Sequence, residues 1–366
     1  MNPGTKLRIG FFHGNLPQPD RKPGGVEVHV DRLAEALCAR GHYVRVYSMS
    51  PPPPGASYDH APVAQGKRIG RLGRMFVLPR KLNDLDVHDL DLLHLHGDDW
   101  FYTRRPIPTV RSFYGSALDE ARYASSWRRR ASQLVLHGME QLSGRLATSS
   151  YGISPAQRHN GHLVGSLTSG IDLPAPSEER DRCPSLLFVG TWHGRKRGAL
   201  LHRLFCSEIR PRIPSAQLWM VSDRCEQAPG VTWFPRPSND ELAALYRRAW
   251  VFCLPSRYEG FGIPYLEAMA HGTPVVAAPN VGSRFLLEDG KTGVIASESE
   301  LAATITDLLL DEGRRSELAR RGYRRAAQFN WDLVATTHEA AYHAAIADWR
   351  HQGRPSRLSR RLRPAQ

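Results

Sequence analysis

Short apolar runs alternate along the first half of the chain with segments whose apolar residues recur at helical spacing. Residues 7–12 are typical of a buried parallel strand, and apolar side chains recur every three or four positions over 26–37 until Gly41 ends the predicted helix. The same pattern predicts a loop over 51–66, a long basic helix over about 117–142, and strands at 44–47, 92–95, 109–113 and 146–149. Residues 1–173 are therefore expected to form a doubly wound α/β domain.

A cluster of proline and charged residues at 173–184 interrupts this alternation and indicates an interdomain linker. The alternation then restarts, so residues 174–330 are expected to form a second α/β domain. Its predicted strands lie at 186–189, 218–221, 231–234, 250–254 and 274–277. Its predicted helices lie near 198–209, 238–248 and 264–271, and further helices are predicted to fill 299–349. Two such halves facing each other place the chemistry in the cleft between them.

The charge of the chain is distributed unevenly. The whole chain of 366 residues has a formal net charge of +13, with 22 Lys and Arg against 15 Asp and Glu in residues 1–175 and a balanced stretch after them. Residues 350–366 add six arginines and no acid, and the tail 351–366 is expected to be disordered. A basic first half favours an anionic partner, namely a phosphate-bearing substrate, an acidic lipid surface or a nucleic acid.

Composition narrows the classes of protein that the chain can represent. The five cysteines are scattered without a C-x-x-C pair, so neither a disulfide framework nor a structural zinc site is indicated. A reducing cytoplasm is the simplest compartment for such a protein. We found no run of 18 apolar residues and no leader-like start, so neither a membrane-spanning helix nor a signal peptide is expected. Nucleic-acid binding is not expected either, because the basic segments 67–81 and 128–130 accompany no zinc finger, helix-turn-helix or aromatic platform. Solvated faces or a membrane-surface patch account for them better.

The segment 256–276 is the most informative for chemistry. Pro264 fits the first turn of a helix, and the amides of Gly262 and Ile263 at its start form an anion site suited to a diphosphate. Glu259 and Glu267 lie close to that site, where carboxylates are favourable only if they bind hydroxyls such as those of a sugar or a ribose. The alternative is that Glu259 is a solvated loop residue and Glu267 a favourable charge near a helix start.

Two glycine-containing loops add candidate phosphate contacts. Arg195, Lys196 and Arg197 cluster in a turn that begins at Gly190, and the spacing is not that of a P-loop, so we interpret them as a side-chain clamp on phosphates; the alternative is a solvated basic turn. The pair Gly24-Gly25 is not a dinucleotide fingerprint, so no nicotinamide or flavin cofactor is expected. It indicates either close backbone approach to a ligand or a plain flexible turn.

The ends of two predicted strands in the first half carry candidate acceptor residues. His94 and His96 alternate on one strand face and could serve acid–base chemistry, but without a third ligand they do not indicate a metal site. Tyr114 precedes Gly115 at the end of the next strand, where a polar side chain faces the cleft unless it is a plain strand-end residue.

These motifs together resemble the retaining, nucleotide-sugar-dependent glycosyltransferases of family 4, which have the GT-B fold. The resemblance covers nearly the whole chain, and its most specific element is the pair Glu259 and Glu267 with seven residues between them. The other matching segments are Gly24-Gly25-Val26-Glu27, Leu92 to Gly97, Val189-Gly190-Thr191 with Arg195-Lys196, Pro274 to Ala277 and Glu288 to Gly293. The sequence departs from many members at Thr191 and Tyr114, where those members have Arg and His, and near Phe285, where they have a glutamate.

The resemblance implies a role for each site residue. Catalysis would involve Glu259 at the transferred sugar and Lys196 with Arg195 on the diphosphate. Donor binding would involve Glu267 at the ribose, and Gly25, Gly190, Gly262 and Ile263 around the phosphates. His96 and Tyr114 would lie on the acceptor side, and helices over 331–350 would cross back onto the first domain.

The expected activity is the metal-independent transfer of a sugar, with retention of configuration, from a nucleoside diphosphate sugar to a hydroxyl acceptor. The acceptor is left open between a lipid-linked glycan, a polysaccharide and a natural product. The alternatives are a sugar phosphorylase of the same fold, or a nucleotide-sugar-binding or nucleic-acid-binding protein without catalysis. The enzyme is expected in the cytoplasm, with weak peripheral contact to the anionic inner face of the membrane and with no cofactor.

Removing residues 351–366 is expected to weaken binding to anionic vesicles while leaving donor hydrolysis unchanged. The reason is that the arginine-rich tail has charge to hold anionic head groups but little apolar surface with which to insert. Vesicle co-sedimentation of the full and shortened chains measures this directly. Equal binding by the two chains would remove the tail from any membrane role.

Overall fold

The computed structural model describes residues 5–18, 24–64, 70–123, 126–155, 158–159, 162–163, 165–175 and 179–351. Two parallel sheets, each covered by helices, build two Rossmann-like α/β domains, which confirms the predicted fold class. Of the predicted linker, residues 173–175 and 179–184 are described and follow the first sheet in the chain, and residues 176–178 lie outside the described residues. The predicted tail falls outside the described residues from 352 onward, and so do residues 67–69 of the basic segment 67–81.

The first sheet has seven parallel strands in the order β3-β2-β1-β4-β5-β6-β9. A separate antiparallel pair, β7 and β8, follows β6 in the chain. The strands are β1 (Arg8–Phe12), β2 (Tyr43–Ser48), β3 (Asp59–Pro62), β4 (Leu92–Leu95), β5 (Thr109–Phe113), β6 (Ser149–Gly152), β7 (Arg158–His159), β8 (His162–Leu163) and β9 (Gly165–Ser166). The helices of this half are α1 (Gly25–Ala39), α2 (Arg71–Phe76), α3 (Leu78–Lys81), α4 (Ala117–Arg122) and α5 (Trp127–Leu146).

The second sheet has six parallel strands in the order β12-β11-β10-β13-β14-β15. They are β10 (Ser185–Val189), β11 (Gln217–Val221), β12 (Val231–Phe234), β13 (Val251–Leu254), β14 (Val275–Ala277) and β15 (Val294–Ile295). The helices are α6 (Gly198–Leu204), α7 (Arg210–Arg212), α8 (Asn239–Arg248), α9 (Ile263–Ala270), α10 (Val281–Leu286), α11 (Leu301–Leu310), α12 (Glu312–Ala326) and α13 (Trp331–His351). A π-helical turn over Phe205–Ile209 joins α6 to α7.

Three sequence-based predictions of local structure are wrong. The predicted loop 51–66 contains β3, an edge strand whose half-exposed residues have no apolar run and which forms only by pairing with β2. The predicted helix 117–142 is two helices, because Ser126 caps a new one by accepting a hydrogen bond from the Arg129 amide at 3.3 Å. The strand predicted at 146–149 starts later, since α5 runs on to Leu146.

Both faces of the first sheet are buried, as a parallel sheet requires. On one face, Ile9 and Phe11 of β1 pack with α1 and with Tyr342 and Ile346 of α13. On the other face, a second cluster contains Phe12, Leu93 and Leu95 of the strands and Leu78 and Leu82 of the α3 region. The C-terminal helix α13 thus lies in the core of the first domain, although it follows the second domain in the chain.

A group of ion pairs fastens α13 to the end of α1. Arg40, just after α1, contacts Glu339 through two hydrogen bonds, from Nε at 2.6 Å and from NH2 at 2.9 Å, and the His42 ring lies 2.7 Å from the same carboxylate. Hydrogen bonding to Arg40 lowers the pKa of Glu339 to about 2. The carboxylate therefore stabilises the folded chain at any pH above its ordinary pKa, and this contribution is lost as the pH falls toward 2.

Replacing Glu339 with glutamine is expected to lower the free energy of unfolding by about 2 kcal/mol at pH 7, because a paired, mostly buried carboxylate is lost. The difference between the two proteins should shrink between about pH 4.5 and pH 2, where the wild-type carboxylate becomes protonated. Urea unfolding at several pH values measures both effects. Asp348→Asn, an exposed change on the same helix, is the control, and equal stability of Glu339→Gln and wild type at pH 7 would contradict the expectation.

Candidate active site

A loop over 255–262 joins β13 to α9 at the carboxyl edge of the second sheet. Gly262 precedes α9 with a positive φ of 98°, and a Cβ at this position would lie 2.3 Å from Cδ2 of Tyr265, so only glycine fits. Pro264 occupies the first turn of α9, as the sequence predicted. The loop therefore delivers the start of a helix, with its free amides, to the edge of the sheet.

Two residues that sequence reasoning missed hold this loop against the turn after β10. The Ser256 hydroxyl donates to the carbonyl oxygens of Tyr258 at 3.0 Å and Arg195 at 3.1 Å. The Asn280 side chain donates to the Ser256 carbonyl at 3.0 Å, and the Arg257 amide donates to the Arg195 carbonyl at 2.9 Å. A serine or an asparagine in a loop belongs to no recognisable sequence pattern. The sequence alone therefore could not predict that these two residues hold the loops together.

The predicted clamp and the first predicted glutamate form a single ionic cluster. Oε1 of Glu259 lies 2.6 Å from NH1 of Arg195 and 3.2 Å from Nζ of Lys196. Glu259 is buried, whereas both cations are partly exposed. Since one carboxylate faces two cations, the cluster keeps one net positive charge for an anion that enters the cleft.

The third cation of the turn, Arg197, pairs with a carboxylate other than Glu259. Arg197 adopts a left-handed conformation just before α6 and pairs with Glu298. Gly190 lies beneath the clamp, where a Cβ would come within 2.9 Å of Cδ of Lys196. Gly190 therefore makes room for the lysine stem, while its own amide donates to the Val221 carbonyl within the sheet edge.

The start of α1 faces the start of α9 across the cleft. A Cβ on Gly25 would lie 3.0 Å from Cδ1 of Ile263, so these residues of the two domains are in contact. Gly24 precedes α1, and its amide donates to Oε2 of Glu27 at 3.2 Å. Two helix N-termini with their positive dipole ends thus converge near Ile263, an arrangement that favours a bound anion.

The end of β5 abuts the 255–262 loop of the other domain. A Cβ on Gly260 would lie 2.9 Å from the Tyr114 carbonyl oxygen, and the Ser116 amide donates to the Tyr258 hydroxyl at 2.8 Å. Burial raises the pKa of Tyr258, so its hydroxyl stays protonated. These contacts bring Tyr114 next to the segment that carries Glu259. Tyr258 was not predicted, because nothing in the sequence indicates a contact between distant loops.

His96 is placed behind Tyr114 rather than in the open cleft. Its Nδ1 lies 2.5 Å from the Tyr114 hydroxyl, and the ring is buried against His94 with 3.9 Å between ring centroids. His94 in turn bonds Tyr342 and Ser112, each at 2.8 Å. Burial, followed by the neighbouring histidines, lowers the pKa of both rings well below the usual value, so they are neutral at physiological pH. The acceptor role of His96 and Tyr114 stays a prediction.

Glu267 lies one turn into α9 and is half-buried. Its Oε2 accepts a hydrogen bond from the Tyr246 hydroxyl at 2.8 Å, and burial together with the carboxylate raises the pKa of Tyr246. The tyrosine therefore remains a donor and fixes the orientation of the carboxylate. Such a fixed carboxylate is suited to recognising a pair of hydroxyl groups.

The first domain also contains a cation that sequence reasoning did not single out. Arg74 of α2 lies 3.2 Å from Asp98, and its NH2 would be 2.7 Å from a Cβ on Gly14, at the carboxyl ends of β1 and β4. The sequence shows Arg74 only as one member of a basic segment. Among the described residues, no group of three or more His, Cys, Asp or Glu side chains is arranged to hold a metal ion.

Comparison with known proteins identifies the class of enzyme to which this site belongs. Residues 23–151 match the model of glycosyltransferase family 4, and residues 219–325 match the model of glycosyl transferases group 1. The protein is a glycosyltransferase with the GT-B fold. The chain belongs to the family 4 glycosyltransferases, as the sequence resemblance indicated.

Relatives and solved structures agree with this assignment. The chain is 28% identical over 368 residues to the phosphatidyl-myo-inositol mannosyltransferase of Mycobacterium leprae, an alignment that covers 90% of this chain and 95% of that protein. Sucrose-phosphate synthase from Thermosynechococcus elongatus superposes with a TM-score of 0.73 at 20% identity, covering 93% of this chain and all (100%) of that one. Anabaena HepE, solved with UDP and glucose, has a TM-score of 0.70 at 17% identity and covers 92% of this chain and 100% of its own. At these identities, the two structures establish the shared fold alone.

Proposed function

We propose that this enzyme transfers a sugar, with retention of configuration, from a nucleoside diphosphate sugar to a hydroxyl group of a lipid-linked acceptor. The observation that carries the proposal is the cluster of Glu259 with Arg195 and Lys196, 2.6 and 3.2 Å away, beside the start of α9. Cations and helix amides are the groups that stabilise a departing diphosphate. The complex of Anabaena HepE with UDP and glucose supports a nucleotide-sugar donor for this fold.

In the proposed reaction, the acceptor hydroxyl oxygen forms a bond to the anomeric carbon on the face from which the donor diphosphate leaves. The bond from that carbon to the diphosphate oxygen breaks with its electron pair, and the same oxygen receives the hydroxyl proton. Arg195 and Lys196 are suited to stabilise the charge that grows on the diphosphate, and Glu259 the positive character of the sugar ring. We propose that the positive charge of the clamp takes the place of a divalent metal.

The proposed acceptor class depends on the first domain. Residues 1–175 carry the excess of 22 bases over 15 acids, which suits an acceptor that carries phosphate or lies at an anionic surface. The Mycobacterium leprae relative, aligned over 90% of this chain, is named for action on a phosphoinositide lipid. The structure describes no helix with the length and apolar character needed to cross a membrane. On the basis of the basic first half and of this relative, we propose a peripheral position at the inner face of the membrane.

When the purified protein is incubated with UDP- and GDP-sugars and a lipid extract, we expect the release of a nucleoside diphosphate. Turnover should continue in the presence of EDTA, because the clamp supplies the positive charge. Mass spectrometry identifies the donor and the product, and the anomeric coupling constant in NMR reports the configuration. Activity that EDTA abolishes and metal restores would contradict metal independence. Formation of a sugar 1-phosphate from inorganic phosphate would identify a phosphorylase instead, and an inverted product would contradict retention.

The two glutamates are expected to affect kinetics differently. Glu259→Ala should lower kcat roughly 10- to 150-fold, because a charged hydrogen bond worth about 1.5–3 kcal/mol in the transition state is lost. Lys196→Ala should behave alike, since charge grows on the diphosphate as the bond breaks. Glu267→Ala should mainly raise the donor KM, because the ribose does not change during the reaction.

Steady-state kinetics with varied donor concentration separates the effects on kcat from those on the donor KM. One further variant serves as a control, and another is an independent probe of Glu267. Arg197→Asn changes the neighbouring cation that pairs with Glu298 and tolerates the left-handed backbone, so it should leave kcat unchanged. Tyr246→Phe should raise the donor KM in the same direction as Glu267→Ala, since it removes the hydrogen bond that orients the carboxylate. The assignment is wrong if Glu259→Ala retains its kcat and changes only the donor KM.

A further inference from the structure

Helix α5 presents an apolar stripe to solvent. Of its 20 residues only Ser143 is fully buried, whereas Trp127, Leu134, Val135 and Leu142 are 75%, 47%, 51% and 39% exposed. Together with Ala131 and Gly138, these residues recur at the spacing of one helix face, i, i+4, i+7, i+8, i+11 and i+15, and that face points away from the domain. A contiguous exposed apolar stripe of this kind marks an interaction surface.

The opposite face of α5 is fixed to the domain by polar contacts. Ser143 donates to Asp99 at 2.6 Å and accepts from Nε of Arg111 at 3.1 Å, within a buried network that includes the Arg105–Asp99 pair at 3.2 Å. Glu140 turns inward to the Ala117 amide at 3.3 Å. The orientation of the helix is thus determined by groups that would be costly to expose unpaired, so the apolar stripe cannot rotate into the core.

The stripe is bordered by positive charge. Arg128, Arg130 and Arg145 of α5 are exposed and form no ion pair within the part of the chain that the structure describes, whereas Arg129 is paired with Glu120 of α4. The only acid of α5 is the inward-turned Glu140, whose pKa burial raises to about 7. The exposed face therefore combines apolar side chains, an aromatic residue and unpaired arginines without a carboxylate.

A second element on the same side of the domain has the same character. Arg111, which anchors α5, is in register with Leu95 on the neighbouring strand, so both side chains point to one face of the sheet. The α3 region covers that face through Leu78 and Leu82. Next to it, Val77 and Arg80 are exposed, which extends a mixed apolar and basic surface over this layer.

We propose that α5 docks this enzyme on an anionic lipid bilayer, with the stripe of Trp127, Leu134, Val135 and Leu142 among the acyl chains and Arg128, Arg130 and Arg145 against lipid phosphates. Interfacial helices have this composition, in which tryptophan and leucine lie beside arginine and net hydrophobicity is low. A second copy of the chain is a poorer partner, because symmetric packing of two such faces would set arginines against arginines with no acid between them. The inference builds on the proposed lipid-linked acceptor, which such docking would bring to the cleft.

Co-sedimentation of the full chain with vesicles of phosphatidylcholine, with and without phosphatidylglycerol, tests the proposal. Binding is expected to require the anionic lipid and to fall about tenfold or more in either of two triple variants. One variant removes apolar surface (Trp127→Ser, Leu134→Ser, Val135→Ser), and the other removes charge (Arg128→Gln, Arg130→Gln, Arg145→Gln). Because α5 is exposed at these positions, both variants should fold, and circular dichroism melting verifies that they do.

Matched controls come from exposed positions in the second domain. The pair Trp233→Ser and Leu310→Ser removes comparable apolar surface, and Arg212→Gln, Arg236→Gln and Arg324→Gln together remove the same charge, so both sets should bind vesicles as the wild type does. Vesicle binding by the α5 variants equal to that of the wild type would overturn the proposal. So would a wild type that ignores vesicles but sediments as a dimer that the α5 substitutions dissociate, since α5 would then be a self-association surface.

The readouts separate this proposal from the proposed function. Donor hydrolysis in detergent-free solution reports the active site and should be the same in the wild type and in every α5 variant, because α5 contributes no residue to the clamp. Loss of vesicle binding with normal donor hydrolysis supports the docking role of α5. Normal vesicle binding by a protein that turns over no nucleotide sugar would contradict the proposed function and leave the docking surface standing.

Discussion

The close contact between the two domains is the constraint on which the active site depends. Each parallel sheet ends in loops at its carboxyl edge, and neither edge alone contains both the clamp and the strand-end residues His96 and Tyr114. Gly260 lies against the Tyr114 carbonyl, the Ser116 amide bonds the Tyr258 hydroxyl, and Gly25 touches Ile263. At Gly260 the space for a Cβ is already taken by the Tyr114 carbonyl of the other domain, and at Gly25 a Cβ would crowd the Ile263 side chain, so glycine favours the close approach of the domains at the clamp. The crossing of α13 into the first core holds the domains in this relation.

The charge balance of the clamp follows from burial. A buried carboxylate such as Glu259 is costly unless it is paired, and Arg195 and Lys196 both meet that need. The same pairing keeps the two cations together in the absence of an anion, although like charges repel. An anion that enters the cleft therefore meets cations that are already positioned, and the facing starts of α1 and α9 add their dipoles to one point. The stability of the loops and their capacity to bind an anion thus have the same physical origin.

The first domain buries several histidines and charged side chains, and these determine how its outer helices are presented. On one face, His94 and His96 are neutral because burial lowers their pKa values, and they position Tyr114 and Tyr342. On the other face, the network of Asp99, Arg105 and Arg111 holds the inner side of α5 through Ser143. A helix fastened by polar groups buries little apolar surface of its own. Its apolar residues consequently remain outside, and they form the surface that we propose binds lipid.

The sequence alone determined the two α/β domains, most strands of both sheets, the start of α9 at Gly262 and Pro264, and the family, because apolar period and glycine or proline placement are local properties. It also singled out Glu259, Arg195 and Lys196 as residue types suited to bind a sugar diphosphate, but their pairing and the separation of Arg197 toward Glu298 required the fold. The edge strand β3, the break between α4 and α5, and the contributions of Ser256, Asn280, Tyr246 and Tyr258 were decided by tertiary structure. Each of these depends on a partner far away in the chain, and no local pattern records the partner of a hydrogen bond. For the same reason, the sequence did not predict that His96 lies behind Tyr114 or that the apolar face of α5 points outward. The direction of a helix face is set by what the rest of the chain packs against it.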